Sequence, residues 1–299
     1  MDVHELSERA RALGGLIEPF AGQVYFSPEC HGRYQALGFN GSPGEFSGVA
    51  MPDGPAYFCS RGSLMGQVPG QVVSAAFAVF NPAVVIPSVD QGWSLTRAQL
   101  LEKERTDGSV EQLTRILGER PEGIDQTKEL LERAGASLRV EGKPLYAGVA
   151  SQAIPDCELG AAWRYADCLR EYRGDAHIAS WTSAGFDAVE IGLLTELYWG
   201  LPLKTYIRTR AWSDQELDDA IERLERRGLV SEGAFTEKGR EQREAVELAT
   251  DLQCRPIVES LGARFDELAA LLAPMGQAIR RASGYPSSGP HELAAAAQR

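Results

Sequence analysis

Histidine is scarce in this sequence and its cysteines form no obvious pairs. There are four histidines and five cysteines in 299 residues. Cys30, Cys59, Cys157, Cys168 and Cys254 are odd in number, and no two are spaced as Cys-x-x-Cys. That pattern indicates no zinc site and no disulfide framework, and it fits reduced thiols in a cytoplasm. No apolar run approaches the roughly 18 residues of a transmembrane helix, so no membrane span is expected. The N-terminal stretch mixes acids and bases on an amphipathic pattern, unlike a secretory leader. Positive charge is also short: 30 Lys and Arg stand against 42 Asp and Glu, a net charge of −12. Such a surface repels phosphate backbones on average. The sequence lacks GxSxG, HExxH, a P-loop and a glycine-rich dinucleotide fingerprint, so no catalytic set is readable. No metal is expected and no cofactor is assigned. A heme held by one histidine or by Cys30 would leave no motif to read. Cys30 and His31 are neighbours at a helix start, which favours a thiolate, but they point about 100° apart and make a poor dyad.

What the chain does contain is a pattern that occurs twice. His31 precedes Gly38-Phe39 and Arg61, and His177 precedes Gly185-Phe186 and Arg208. The offsets are 146 for the histidines and 147 for the phenylalanines and arginines. Leu117-Gly118-Glu119-Arg120 matches Leu261-Gly262-Ala263-Arg264 at an offset of 144. Order is kept while the gaps drift by a few residues, as expected of a tandem duplication. A chain of this length also suggests two domains. The expected division is residues 1–137 and 138–299.

Periodicity gives a mostly helical chain. Val3, Leu6, Ala10, Leu13 and Ile17 make one amphipathic helix, and Ser27-Pro28 opens the next. Residues 40–56, rich in Gly and Pro, read as loop. The uncharged run 71–80 is expected to be buried. Residues 94–137 read as solvent-facing helices broken near 118–123, and 138–155 as a linker. A helix over 156–172 is expected to end at a turn formed by Arg173, Gly174 and Asp175, with Asp175 capping the helix of His177. Ser213 and Glu216 form a capping box that opens a helix carrying Leu217, Ile221 and Leu224.

From there the sequence runs Arg226-Arg227-Gly228-Leu229-Val230, a short polar hairpin near 228–236, and Thr236-Glu237-Lys238-Gly239-Arg240 opening a long helix. This segment resembles the winged helix of MarR-type regulators, and the run 260–279 resembles their dimerisation helix, so self-association is possible. Across residues 1–137 the resemblance rests on the repeat. The stretch Leu169–His177 is also similar to an actinobacterial family of MarR-like helix-turn-helix proteins, with Tyr172 in place of that family's histidine. The resemblance implies a mainly α fold with small β-wings: two tandem winged-helix repeats forming a single-chain pseudo-dimer.

A winged helix reads DNA with its second helix. Here that helix, 212–227, carries six acids and three arginines, and its counterpart in 71–80 carries no charge. DNA binding is therefore disfavoured, although Arg223, Arg226, Arg227, Arg240 and Arg243 leave a basic patch open. MarR-type dimers hold small ligands between their dimer helices and winged domains. By that resemblance, His31, Phe39, Tyr57, Arg61, His177, Trp181, Phe186, Tyr206 and Arg208 line either two equivalent pockets or one pocket on the pseudo-twofold axis. Arginine suits a carboxylate or phosphate, and histidine can donate, accept or ligate. The expectation is a small-molecule-binding protein derived from such a regulator. The alternatives are a ligand-responsive regulator or an enzyme using His31 or His177 as acid/base. Each residue also has a plain structural role available to it, as a cap, a core side chain or a buried ion-pair partner.

Overall fold

Helix α9 (Glu158–Ser183) is the post on which the rest of the molecule hangs. In the computed structural model, which describes residues 1–286, this 26-residue helix is about 39 Å long at roughly 1.5 Å per residue. Leu159, Ala162, Trp163, Ala166, Leu169 and Ala176 recur at steps of three and four and are buried. Arg164, Asp167, Glu171 and Asp175 on its other faces are buried too. Covering every face takes neighbours on all sides. They are α1 (Val3–Gly22), α6 (Ala98–Leu117), α7 (Ile124–Gly135), α8 (Pro144–Ala150) and α12 (Glu237–Gln253).

The remaining elements pack around this group. Helix α2 (Pro28–Ala36) begins where the Ser27 side chain accepts from the Cys30 N–H, and it lies on α6. The approach is close: a Cβ on Gly108 of α6 would lie 2.8 Å from the Cys30 Cα. Helices α3 (Gly54–Gly62), α4 (Gly70–Phe77) and α5 (Pro82–Leu95) follow, with Asn81 capping α5. Helix α10 (Ala188–Tyr198) and helix α11 (Asp214–Arg226) each start with a full capping box, from Asp187/Glu190 and Ser213/Glu216. Helices α13 (Arg255–Leu261) and α14 (Phe265–Arg281) bring the chain back against α7 and α1. The larger core runs from Leu6 to Tyr285 and draws on both halves of the sequence. A smaller core, Trp181 to Val246, joins the end of α9, α10, α11 and the start of α12.

Two hairpins are the only strands among the described residues. Strands β1 (Glu45–Phe46) and β2 (Val49–Ala50) pair antiparallel, as do β3 (Val230–Ser231) and β4 (Ala234–Phe235). Both turn through two residues of positive φ, Ser47-Gly48 and Glu232-Gly233, the geometry that matches strand twist. The second hairpin falls where the polar hairpin near 228–236 was expected. The first lies within 40–56, read from sequence as loop, because two-residue strands leave almost no alternation to detect.

Several other expectations need correction. Arg173, Gly174 and Asp175 do not form a turn: α9 continues through them without a break. A single glycine costs a helix only about 1 kcal/mol, and packing on both sides offsets that. Asp175 does cap a helix, but a different one. Its carboxylate accepts from the Tyr146 N–H at the start of α8, 2.9 Å away. The linker 138–155 contains α8, opened by Pro144 at its first position. Helices α6 and α7 do not simply face solvent, since Leu101, Arg105, Ser109, Gln112 and Leu113 of α6 and Leu130 and Leu131 of α7 are fully buried. The run 71–80 is buried only in part: α4 ends at Phe77, and Gln71, Val72 and Ala75 are exposed.

Candidate ligand cavity

One cavity stands out, with a volume of about 460 Å³. It opens where the end of α1, the 23–26 turn, the β1–β2 hairpin, the start of α3 and Phe80 meet Arg170 of α9, the 201–210 segment and Tyr285. The walls are largely aromatic. Tyr57 of α3 sits at the centre of a ring cluster, edge-on to Tyr25 at 5.2 Å and packed against Phe58, Phe77 and Phe80. Tyr206 faces it from the second half, in a 3₁₀ segment over Tyr206–Arg210. Arg210, one turn further on, stacks over Phe80 at 4.5 Å and over Tyr206 at 4.9 Å.

The floor is a buried chain of charge. Arg61 forks onto Glu171, with Nε to Oε1 at 3.0 Å and Nη2 to Oε2 at 2.6 Å. Arg170 donates to Glu171 at 2.9 Å and to Glu18 through Nε and Nη2. The Tyr25 hydroxyl donates to Glu171 at 3.3 Å and accepts from Arg105, which also meets Asp167 at 2.8 Å. The Tyr285 hydroxyl donates to Glu18 at 2.8 Å. Burial works to raise the Glu171 carboxyl, yet Arg61 and Arg170 outweigh it and hold the group at about 2. It stays ionised, and the arginines around it stay neutralised.

The expected site residues divide between this cavity and other places. Tyr57 and Tyr206, one from each half, do line it. Arg61 lies beneath, committed to Glu171. Phe39 packs edge-on to Tyr34, while Trp181 and Phe186 belong to the smaller core, with Arg227 over the Phe186 ring. Arg208 is half-exposed and pairs with Asp214.

Neither imidazole borders the cavity. His31 is buried with Nε2 3.1 Å from the Tyr25 carbonyl, and burial lowers its pKa, so the neutral ring donates there. His177 lies 3.2 Å from the Thr250 hydroxyl, and burial depresses it to about 4 despite Glu247. Two neutral histidines held in separate packing roles are not brought together as an acid/base pair. Glu18, Tyr25, Arg170 and Arg210 were missed from sequence. The spacing of Tyr206 and Arg210, four apart, was the one readable signal for the last of them.

The surface a DNA reader would use is acidic. On α11, Asp214, Asp218, Asp219, Glu222 and Glu225 are exposed beside a single exposed base, Arg226. The nearby bases are already paired: Lys204 with Asp218, Arg208 with Asp214, Arg223 with Asp187, Arg226 with Glu222 and Arg227 with Glu190. Among the described residues no helix is long and apolar enough to cross a membrane, and no group of three or more His, Cys, Asp or Glu is placed to hold a metal ion.

Compared with known proteins, residues 10–286 match the model of a helix-turn-helix family. No curated protein and no solved structure is matched.

Proposed function

We propose, from the premise that this chain belongs to that helix-turn-helix family, that it is a cytoplasmic small-molecule-binding protein in which the family's scaffold encloses a ligand instead of reading DNA. The observation that carries the reading is the cavity of about 460 Å³, walled by Tyr57 and Phe80 from one half and by Tyr206 and Arg210 from the other. Aromatic walls with a few placed polar groups are what small-molecule sites present. The acidic outer face of α11 supports the negative part of the reading, because it repels phosphate at the position where a winged helix needs Lys and Arg.

The architecture in this reading is MarR-like: two tandem winged-helix units, residues 1–137 and 138–299, closed into a single-chain pseudo-dimer. Support comes from the two Gly-Phe sites. Gly38 and Gly185 both have positive φ at a helix end. The next N–H, of Phe39 or Phe186, returns to the carbonyl five residues back, of Tyr34 or Trp181. Both phenylalanines are buried. The arginine correspondence is weaker, since Arg61 stands in α3 with a buried partner and Arg208 in a 3₁₀ segment with an exposed one.

The test is native mass spectrometry on gently purified protein, together with a variant, Leu201→Trp, that crowds the cavity wall. Co-purified small molecules, or dye binding to the wild type that the variant loses, are expected. Undiminished binding by Leu201→Trp would remove the cavity from the argument.

A ligand-responsive DNA-binding regulator remains the second reading, favoured by the family match and by the wing over 230–235.

A further inference from the structure

The charge inside the cavity is not balanced, and the imbalance says what kind of molecule belongs there. Glu18 is the one acid in the wall, and its carboxylate already accepts from Arg170 and from the Tyr285 hydroxyl. Arg170 is in turn shared between Glu18 and Glu171. That leaves Arg210. Among the described residues its side chain makes one hydrogen bond, to the Tyr206 hydroxyl, and no ion pair. Its guanidinium carbon lies over the Phe80 ring, 4.5 Å from the centroid, and over the Tyr206 ring, 4.9 Å from the centroid. Among the described residues one of its N–H groups is spent on the Tyr206 hydroxyl, which leaves others to receive a carboxylate. One unpaired cation calls for one negative charge.

Rings supply much of the remaining wall, from Tyr25, Phe26, Tyr57, Phe58, Phe80 and the exposed Phe46 at the tip of the β1–β2 hairpin, with Met51, Leu201, Thr205 and Thr209 also lining it. Size narrows the choice further. At about 460 Å³ the cavity falls within the roughly 300–1,000 Å³ of drug-sized ligand sites, more than one ring fills. Aromatic rings gain offset-stacked or edge-on contacts with other rings beyond the area they bury.

Resting on the reading of the cavity as a binding site, we propose that its ligand is a flat, fused-ring aromatic monocarboxylic acid, its carboxylate on Arg210 and its ring system against the aromatic walls around Tyr57 and Phe80.

The test uses three probes on the full-length protein: anthracene-2-carboxylate, its neutral primary amide, and benzoate. Binding is followed by fluorescence for the two anthracenes and by calorimetry for all three. The acid is expected to bind about tenfold to a hundredfold more tightly than the amide, the range for a charge-assisted hydrogen bond. It should outcompete benzoate by at least as much. Arg210→Met should erase the difference between acid and amide by weakening the acid far more than the amide, and Arg210→Lys should retain part of the difference. Melting temperatures of both variants check that the fold is retained. Equal affinity for acid and amide in the wild type, or a difference that survives Arg210→Met, refutes the acid assignment and leaves the cavity reading intact. Benzoate binding as tightly as the anthracene acid refutes the fused-ring assignment. If neither anthracene compound binds, the fused-ring proposal is refuted, while the cavity reading stands or falls on native mass spectrometry and Leu201→Trp.

Discussion

Glu171→Gln is the perturbation whose cost can be worked out most directly. Glu171 is fully buried and accepts from Arg61 twice, from Arg170 and from Tyr25. Glutamine has the same shape, but it removes the charge and turns one acceptor into a donor facing the arginines. Breaking a buried ion pair from one side costs about 3–5 kcal/mol, because the remaining charge is left without compensation. The direction of its titration agrees: Arg61 and Arg170 hold the Glu171 carboxyl below the ordinary carboxylate range despite its burial.

The sign follows from the depressed folded value. Glu171 contributes its stability fully above about pH 4.5 and loses it as the pH falls towards 2. The expected result is a loss of about 3 kcal/mol in urea unfolding at pH 7, or roughly 6–12 °C in melting temperature. The gap to wild type should narrow as the pH is lowered from 4.5 to 2. Replacing both partners, Arg61→Met with Glu171→Met, should recover much of the loss, since a buried pair is often matched by well-packed apolar groups. A Glu171→Gln protein within about 1 kcal/mol of wild type at pH 7, with an unchanged acid profile, would refute the reasoning.

Three other outcomes are expected. Burial raises the Asp175 carboxyl to about 6, so protonation favours the folded state, and this contribution is lost as pH rises through 6; Asp175→Asn should be more stable than wild type at pH 8 and lose that slope, whereas Asp175→Ala, which uncaps α8, should cost about 1 kcal/mol in thermal melts. Gly185 has φ +76 with nothing near its missing Cβ, so Gly185→Ala should cost about 1–2 kcal/mol from backbone strain alone; an unchanged melting temperature would mean the turn is not held as described. Affinity for DNA at physiological salt should not exceed the non-specific range of roughly 10⁻⁴–10⁻⁶ M, and a selected duplex bound at nanomolar strength by electrophoretic shift would overturn that.

The helices whose signals are local were legible from the sequence. The caps at Ser27, Ser213 and Thr236, the buried stripe of α1 and the wing near 228–236 all depend on neighbours within a turn or two. What was not legible depends on distant partners. Arg173-Gly174-Asp175 looks like a turn in isolation, but Arg173 pairs with Glu247 and Asp251, and Asp175 holds α8, so tertiary contacts keep the helix going. The cavity follows the same rule. Tyr57 and Tyr206, each just before an arginine singled out from sequence, line it, whereas Tyr25 and Arg170 reach it through folds of the chain that no spacing encodes. The histidines lie away from the cavity, His31 Nε2 against the Tyr25 carbonyl and His177 Nδ1 against the Thr250 hydroxyl.

The short stretch 79–81 joins the cavity to the helix that would read DNA. Phe80 is a wall of the cavity, and its neighbours on both sides hold the segment leading into α11. The Val79 carbonyl accepts from Trp212 Nε1 at 2.9 Å, and the Asn81 N–H donates to the Arg210 carbonyl at 3.0 Å. The Asn81 side chain reaches the Ala211 carbonyl and Glu216, part of the α11 capping box. Whatever shifts Phe80 or Arg210 therefore acts on the start of α11 within one residue. On a basic helix such a latch would transmit ligand binding to DNA. On this one it would move an acidic face, so any output of the linkage would have to go to a partner other than a phosphate backbone.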